Sequence, residues 1–548
     1  MKTIQLLLFS ATIPLLCNCS KREASYTPCS LLDSLGISVS ATENREYSYT
    51  DKKSGYWYGT THQDSTFFWS GWNIAKKRIL SDYQLGVDRS FLNRKEAACI
   101  VYPHKLVRNW KQAQETFYLV DDRPVLYIGM DKVEGDSIAI RLNQDLLQGG
   151  QVQDEGIAYG LAEDNGHQIL LAPANDCDFR GMKEGIKAPV SGQGFLITFG
   201  TPEENKKLLS EFRKNGKQWL NERALRMTRL LIEFNPVSTN LKELDHALNW
   251  LTLTTDELVT EQQGKGIYAG LPWFNEYWGR DMFISMPGTC LVSGQFDIAK
   301  QILMDFAKLQ DKNPESPTYG RIPNRANLEG ILYNTTDGTP RFVIQAFELL
   351  EYSGDTAFIR DIYPAIKLSI EASCKNFTDD KGYLTHADAD TWMDVKRNGI
   401  PGSPRGNRAN DIQALWYKQL EAGSKLAEKM GETETAERWA RLAEKVRSNF
   451  EQDYCNKKHV LIYDHLNADG SPDMQVRPNQ LYCFEMVQDE TFKKKVTRRC
   501  WEELVYPWGV ASLTQWDNQF HPQHENWHYY HTVSYTHLRA HETAANLV

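Results

Sequence analysis

The period at which apolar residues recur changes near residue 235, and this change divides the 548-residue chain. Residues 115–120, 125–130 and 137–142 alternate apolar with polar side chains, and turn residues such as Gly149-Gly150 separate the segments. Alternation with a period of two is typical of half-buried strands. We therefore expect a multidomain chain in which residues 20–201 form an N-terminal β-sandwich.

A charged helical stretch follows this region and carries Leu208, Leu209, Phe212, Trp219 and Leu220. The pair Asn235-Pro236 then ends it, because the residue before a proline avoids the helical conformation. Residues 202–235 are interpreted as a helical linker between two domains.

The rest of the chain is predicted to be mostly helical. Three amphipathic stripes define helices: Ile298, Ile302, Phe306 and Leu309; Ile412, Leu415, Trp416 and Leu420; Trp439, Leu442, Ala443, Val446 and Phe450. About ten helices fit between Leu241 and Trp501, joined alternately by short and long loops. This arrangement favours a barrel of helical hairpins over residues 236–531, whose loops build one mouth. A helical solenoid is the competing architecture, but the sequence has no fixed repeat period.

Composition narrows the class of partner. The formal charge of -9 argues against nucleic acid, and 11% aromatic residues with 15 Trp suit stacking on sugars. Large barrels also bury many aromatic side chains, so the tryptophans alone decide nothing.

The first residues have the pattern of an export signal. Lys2 precedes an apolar run over residues 4–16, and Leu16-Cys17-Asn18-Cys19 follows. Residues 1–19 resemble a lipoprotein signal peptide with Cys19 as the lipidated residue. Cys17 is an alternative site, and a plain cleaved signal is the simpler interpretation. The expectation is an exported lipoprotein of the periplasm or outer membrane, attached to the membrane through its lipid anchor.

No cofactor or metal is expected. The eight remaining cysteines are scattered without metal-type spacing, and Asp388-Ala389-Asp390 is too short a cluster to indicate a calcium loop.

Two short strings suggest the chemistry. Tyr277-Trp278-Gly279-Arg280-Asp281 and Thr391-Trp392-Met393-Asp394 each put an acid beside indole rings. Aromatic faces stack on sugar rings, while nearby carboxyl groups protonate a leaving oxygen or activate water. These strings favour glycoside hydrolysis. Structural interpretations remain open: a helix-start salt bridge for Asp281, core packing for the tryptophans, and a solvated loop for Asp394.

An ordered series of loop strings continues this pattern. Beside the two strings above it comprises Leu271-Pro272-Trp273-Phe274, Gly320-Arg321-Ile322-Pro323-Asn324-Arg325, Tyr333-Asn334-Thr335-Thr336-Asp337, Pro404-Arg405-Gly406, Ala414-Leu415-Trp416-Tyr417 and Arg477-Pro478-Asn479-Gln480. Over roughly residues 270–508 the series resembles the bacterial and archaeal glycogen-debranching family of amylo-α-1,6-glucosidase type.

The resemblance implies an (α/α)6 barrel and hydrolysis with inversion, as in glucoamylases. Asp394 matches the family's general acid, and Trp392 is expected to shield it from water. Arg280 and Asp281 resemble the pair that holds the terminal glucose. Further substrate-lining candidates are the stacking walls Trp273 and Trp278, with Asn324, Arg325, Asp337, Arg405, Arg477 and Asn479.

The implied activity is removal of terminal glucose from α-glucans or branched gluco-oligosaccharides, at α-1,6 linkages. A trehalase-like or oligosaccharide-trimming glucosidase is an alternative, and so is a non-catalytic glycan-binding lipoprotein. A helical interaction scaffold would leave the clustered Trp, Arg and Asp residues unexplained.

The catalytic base presents a difficulty. In glucoamylase-like barrels the base is a Glu that lies near the last helices. In this chain that part of the sequence gives way to residues 532–548, which resemble translated sequencing adapter. We expect the barrel to be truncated, the tail to be artefactual and the base to be absent from this chain. Glu542 is not assigned the role.

Overall fold

A computed structural model describes residues 28–63, 67–161, 164–235, 237–507 and 509–522. The predicted signal peptide with Cys19, and the predicted tail at residues 532–548, lie outside the described residues. Among the helices that are described, none is long and apolar enough to cross a bilayer.

The N-terminal region is built from antiparallel sheets. After helix α1 (Pro28–Asp33) its strands are β1 (Ile37–Val39), β2 (Glu46–Thr50), β3 (Gly55–Thr60), β4 (Gly71–Ile74), β5 (Lys77–Leu80), β6 (Tyr83–Val87), β7 (Ser90–Phe91), β8 (Ala98–Val101), β9 (Leu106–Asn109), β10 (Gln114–Leu119), β11 (Val125–Asp131), β12 (Ser137–Leu142), β13 (Leu147–Val152), β14 (Ile157–Leu161), β15 (Asp164–Pro173), β16 (Arg180–Met182), β17 (Gly185–Pro189) and β18 (Gly194–Gly200). The three segments predicted from their alternation lie on β10, β11 and β12, so those strand predictions are confirmed.

Three sheets share one core. Their strand orders are β1-β8-β9-β10-β11-β18-β15-β14-β13, β16-β17-β12-β6-β7 and β2-β3-β4-β5. In β10 every second residue is buried, and Phe117 pairs with Ile128 of β11. The buried side chains of all three sheets, among them Trp57, Phe117 and Ile140, meet in a single cluster. Alternation along the strands therefore directs one face of each sheet into this cluster.

One long helix leads out of the sheets. Helix α2 (Pro202–Phe234) begins with Thr201, whose hydroxyl accepts from the Glu204 N–H while the Glu204 carboxylate accepts from the Thr201 N–H. This reciprocal cap, with Pro202 in the first turn, defines the start of the helix. Its first half buries Leu209 and Trp219 against the nine-stranded sheet, while its second half packs with α1 and the next helix.

The C-terminal region is helical with short strands between the helices. It contains α3 (Lys242–Leu258), β19 (Val259–Gln262), β20 (Gly264–Gly270), β21 (Phe274–Trp278), α4 (Gly279–Met286), a π-helical turn (Pro287–Leu291), α5 (Phe296–Lys308), β22 (Arg325–Asn327), β23 (Gly330–Leu332), α6 (Gly338–Ser353), α7 (Thr356–Asn376), β24 (Lys396–Arg397), β25 (Ile400–Pro401), β26 (Arg408–Ala409), α8 (Asn410–Lys429), α9 (Thr433–Tyr454), β27 (Cys455–Asn456), β28 (Leu461–Ile462), β29 (His465–Leu466), a 3₁₀ helix (Pro478–Met486), α10 (Glu490–Leu504), β30 (Val505–Tyr506) and β31 (Gly509–Val510). The three predicted stripes lie on α5, α8 and α9.

The interpretation of this region as helices and loops alone is wrong in one respect. Strands β19 to β23 form a five-stranded antiparallel sheet beside the helices. Trp278 of β21 pairs with Arg325 of β22, so the sheet brings together two strings that lie far apart in sequence.

A buried group of charges joins the two regions through α2. Arg223 donates to the Thr50 carbonyl at 2.9 Å, to the Asp121 carboxylate, and to Glu257 on α3 at 2.8 Å. Arg226 donates through Nε to Asp121 at 2.8 Å. Burial raises the pKa of Asp121, but the two guanidinium groups outweigh it and hold that pKa at about 2. The charges therefore compensate one another across the junction.

Replacing Arg223 by Ala should strongly destabilise the folded protein. The substitution leaves the Asp121 and Glu257 carboxylates short of a donor in a buried position, which costs about 3–5 kcal/mol. Urea unfolding followed by circular dichroism measures the change. Arg229, exposed on the same helix, provides the control, since Arg229→Ala should stay within about 0.5 kcal/mol of wild type. Equal stability of the two variants would contradict this account.

Stability should also depend on pH through Asp51. Burial raises the pKa of this carboxyl to about 7, although the Lys53 and Gly55 amides donate to it. The unfolded carboxyl titrates near 4, so between about pH 4 and pH 7 the folded state binds more protons. Stability from this group is therefore present below pH 4 and is lost as pH rises towards 7.

The variant Asp51→Asn should remove that loss, because its amide oxygen still accepts from both backbone amides. We expect it to be more stable than wild type at pH 8 by up to about 4 kcal/mol, and no more stable at pH 4. Unfolding midpoints at both pH values test this, with Asp136→Asn as an exposed control. A difference in stability between Asp51→Asn and wild type that is the same at pH 4 and pH 8 would contradict this account.

Candidate active site

Arg280 lies at the centre of a charged cluster formed by three segments. It stands in the first turn of α4, directly after β21. Its Nε lies 2.5 Å from an Asp337 carboxylate oxygen, and its Nη2 lies 3.1 Å from the Thr391 carbonyl and 3.3 Å from Asp394 Oδ2. One guanidinium group therefore joins α4, the start of α6 and the loop after α7.

The backbone at Gly279 requires a glycine. A Cβ at this position would lie 2.5 Å from the Pro323 carbonyl oxygen. The Gly279 N–H donates to the Asn324 carbonyl at 2.7 Å. This close approach fixes the path of the backbone from β21 into α4, and therefore the direction in which Arg280 projects.

The two carboxylates beside Arg280 have different surroundings. Asp337 is 1% exposed, whereas Asp394 is 19% exposed. Burial raises the pKa of Asp337, but the charge and hydrogen bonds of Arg280 outweigh it, and the net pKa lies below the ordinary value. Asp337 is thus a fixed counterion for Arg280. Asp394 is the carboxylate of the pair that solvent or a ligand reaches.

An aromatic and cationic wall flanks the cluster. The Arg325 guanidinium carbon lies 5.8 Å from the centre of the Trp278 ring, within the range of a cation–π contact. Trp273 lies partly buried in the turn between β20 and β21, and Asp281 lies partly buried in the first turn of α4. The Trp278 indole N–H and the Asn324 amide oxygen are buried without a hydrogen-bond partner among the described residues. Such groups are normally satisfied by water or a ligand.

A second network lies deeper. Arg405, which is fully buried, donates through Nε and Nη2 to both oxygens of Asp464 at 2.8 and 3.0 Å, and through Nη1 to Asp411 at 2.6 Å. Asn479 donates to Asp464 at 2.8 Å and accepts from the Trp392 indole N–H at 3.1 Å. The chain of hydrogen bonds thus runs from Arg405 to Trp392, two residues before Asp394.

Among the described residues, one group brings together side chains of the kinds that bind metal ions. Ligand atoms of Asp464, His465 and Asp473 lie within 4.8 Å of one another. Both oxygens of Asp464 already accept from Arg405, and one of them also accepts from Asn479. A cation would have to displace a buried guanidinium, so the donor set fits an ion-pair centre better than a metal site.

Comparison with known proteins identifies the family. A family model described as "Amylo-alpha-1,6-glucosidase" matches residues 242–537, more than half of the chain. The chain belongs to the amylo-alpha-1,6-glucosidase family. The match includes Arg280, Asp337, Asp394 and the deeper network.

One relative and one solved structure are similar to this chain over different extents. The glycogen debranching enzyme of Saccharomyces cerevisiae is 30% identical over 126 residues, which are 20% of this chain and 8% of that protein. The chain thus spans only a small part of that relative. A crystal structure of a bacterial glucoamylase complexed with acarbose has a TM-score of 0.56 at 13% identity, covering 88% of this chain and 82% of the other. That likeness concerns the fold.

Eight of the twelve predicted site residues fall into two groups. Arg280, Asp337, Asp394, Trp278 and Arg325 lie together, as described above. Arg405, Arg477 and Asn479 are at most 2% exposed, and Arg477 donates to Gln475, Ser403 and the Ser512 carbonyl. Their placement favours support of the site from behind over direct contact with a substrate.

Sequence reasoning missed the acids of the deeper network. Asp464 follows a short strand and Asp411 lies in the first turn of α8, and neither stands in a distinctive string. A buried arginine needs acceptors, so Arg405 predicts acidic partners in general. Which acids they are depends on the fold.

Asn479 should couple energetically to Trp392. Asn479→Ala removes the acceptor of the Trp392 indole N–H and one of the donors to Asp464, and should cost about 1–3 kcal/mol of stability. Trp392→Phe removes the same hydrogen bond from the other partner. In the double variant the loss should be smaller than the sum of the single losses by about 0.5 kcal/mol or more. Thermal unfolding of the four proteins gives the coupling, and strict additivity would argue against this hydrogen bond.

Proposed function

We propose that the protein is a glycoside hydrolase that removes terminal glucose from α-glucans or branched gluco-oligosaccharides, at α-1,6 linkages. The observation that carries this proposal is the accessible carboxylate of Asp394, held beside an Arg280 whose other side is bound to the buried Asp337. The fixed cation suits orientation of a sugar through its hydroxyl groups, and the accessible carboxyl group lies where it can transfer a proton to that sugar.

Asp394 is proposed as the general acid. In an inverting reaction it protonates the glycosidic oxygen, while a second carboxylate activates water on the opposite face of the ring. Asp337 does not suit the second role, because it is buried and paired with Arg280. We assign no base among the described residues.

Arg280 and Asp281 are proposed to hold hydroxyl groups of the terminal glucose, with Trp273 and Trp278 as apolar walls. Charged hydrogen bonds to hydroxyls are strong and directional. The buried Trp278 N–H and Asn324 oxygen, which lack partners among the described residues, supply a donor and an acceptor nearby. The likeness to a glucoamylase complexed with acarbose supports an oligosaccharide as the ligand.

The architecture proposed with this activity has three parts after the lipoprotein signal at residues 1–19. They are a β-sandwich (20–201), a helical linker (202–235) and an (α/α)6 barrel (236–531). Helices α3 to α10, which alternate with loops and short strands, support the barrel. Export with lipidation at Cys19 would bring the protein to imported or extracellular α-glucans.

The experiment compares wild type with Asp394→Asn on isomaltose, panose, limit dextrin and trehalose. Any glucose that wild type releases from the α-1,6-linked substrates should be the β-anomer, as observed by NMR of the fresh product. Removing the acid should reduce turnover by about 10²- to 10⁴-fold, while acarbose binding by calorimetry persists. Asp388→Asn, which changes an exposed acid in the same loop, is the matched control.

Turnover in Asp394→Asn equal to that of the control would remove Asp394 from the role of general acid. Absence of both hydrolysis and sugar binding by wild type would refute the proposed function. Cleavage of trehalose alone would assign the linkage differently.

A further inference from the structure

We propose that Lys76 of the N-terminal region is a positioning residue for the candidate active site, acting through Glu276 on the Arg325–Trp278 wall. The proposal rests on the proposed function, because it assigns that wall to sugar binding. Lys76 lies about 200 positions before the site in sequence, and no motif in the N-terminal region points to it.

Lys76 is held at the tip of a tight hairpin. Strands β4 and β5 are joined by Ala75 and Lys76, between the paired residues Ile74 and Lys77. Both connecting residues have left-handed backbone angles, with φ of +48° and +68°. A two-residue turn of this kind prefers Asn and Gly, so Ala and Lys are strained here.

The Lys76 ammonium group contacts a glutamate of the C-terminal region. Its Nζ donates to Glu276 Oε1 and lies 3.8 Å from Glu329 Oε2. The Lys76 side chain is 21% exposed and the Glu276 side chain 13% exposed, so water screens this contact incompletely. The hairpin thus places the positive charge of Lys76 beside Glu276 on β21. Glu276 precedes Trp278 by two residues.

Glu276 accepts hydrogen bonds from Lys76 and Asn327 and forms an ion pair with Arg325. Its Oε2 accepts from Asn327 Nδ2 at 2.5 Å and lies 3.4 Å from Arg325 Nε. Arg325 in turn stands over the Trp278 ring. Without the positive charge of Lys76, the Glu276 carboxylate would attract Arg325 more strongly. The guanidinium group would then move off the indole, and the wall beside Arg280 would lose its geometry.

Docking of the two regions does not depend on this contact. The Tyr56 hydroxyl on β3 accepts from Asn275 Nδ2 at 2.8 Å and donates to the Pro272 carbonyl at 3.3 Å. The charges around Arg223 join the regions a second time. Loss of Lys76 is therefore expected to change the wall more than the stability.

The test uses the full chain labelled with 5-fluorotryptophan, with acarbose as the sugar probe. The variants are Lys76→Met, which keeps length without charge, Lys76→Arg, which keeps the charge, and Lys77→Met, which changes the exposed neighbour. Trp278→Phe assigns the Trp278 fluorine signal. Lys76→Met should shift that signal and weaken acarbose binding about tenfold. Lys76→Arg should restore both within about twofold, and Lys77→Met should change neither.

The route through Glu276 is tested by adding Glu276→Gln. If Lys76 acts through this carboxylate, Lys76→Met should have less effect on acarbose affinity in the Glu276→Gln background. An equal effect of Lys76→Met on acarbose affinity in the wild-type and Glu276→Gln backgrounds would overturn the proposal. A wild-type signal and affinity in Lys76→Met would overturn it while leaving the proposed function intact.

A general fall in melting temperature with shifts of many tryptophan signals would identify Lys76 as a structural latch and also overturn the proposal. Failure of wild type to bind acarbose or any of the four sugars would refute the proposed function and this proposal with it. Unchanged acarbose binding in Lys76→Met refutes only the positioning role, so the two failures are distinguishable.

Discussion

The ion pair between Arg280 and Asp337 organises the candidate active site. Asp337 is buried at the start of α6 and accepts from Arg280 on the first turn of α4. A buried carboxylate without this partner would be costly, so the pair constrains how the two helices approach each other. The guanidinium group then has Nη2 directed to Thr391 and Asp394. Arg280 thus contacts one buried carboxylate, Asp337, and one accessible carboxylate, Asp394. This difference in exposure gives the two acids different chemical roles.

Support for this arrangement comes from two directions. From the interior, Arg405 and Asp464 hold Asn479, and Asn479 holds the indole of Trp392 beside Asp394. From the N-terminal region, the β4–β5 hairpin reaches the strand that carries Trp278. The site is therefore shaped by residues that lie between positions 76 and 479 of the chain. Fully buried arginines in matching loops are better understood as part of this support than as sugar-contacting groups.

Much of the secondary structure could be predicted from local patterns. Strands β10 to β12 follow from alternation, and helices α5, α8 and α9 follow from apolar stripes, because both periods are properties of neighbouring residues. The sheet formed by β19 to β23 was missed. Its strands have three to seven residues and mixed burial, and they pair across more than 45 positions of sequence between Trp278 and Arg325. Local periodicity carries little signal for such short strands, whose pairing is decided by tertiary contacts.

Among the site residues, Arg280, Asp281 and Asp394 could be named because they stand in strings that join acids to indoles and fall into an ordered series. The sequence by itself determined the two kinds of secondary structure, the family resemblance and these chemical groups, because each depends on neighbouring residues or on their order. Only the tertiary structure decided which carboxylate is buried, that Asp464 and Asp411 compensate Arg405, and that Lys76 reaches Glu276. Charge compensation depends on distances of a few ångströms between segments far apart in the chain, and no local pattern encodes those distances.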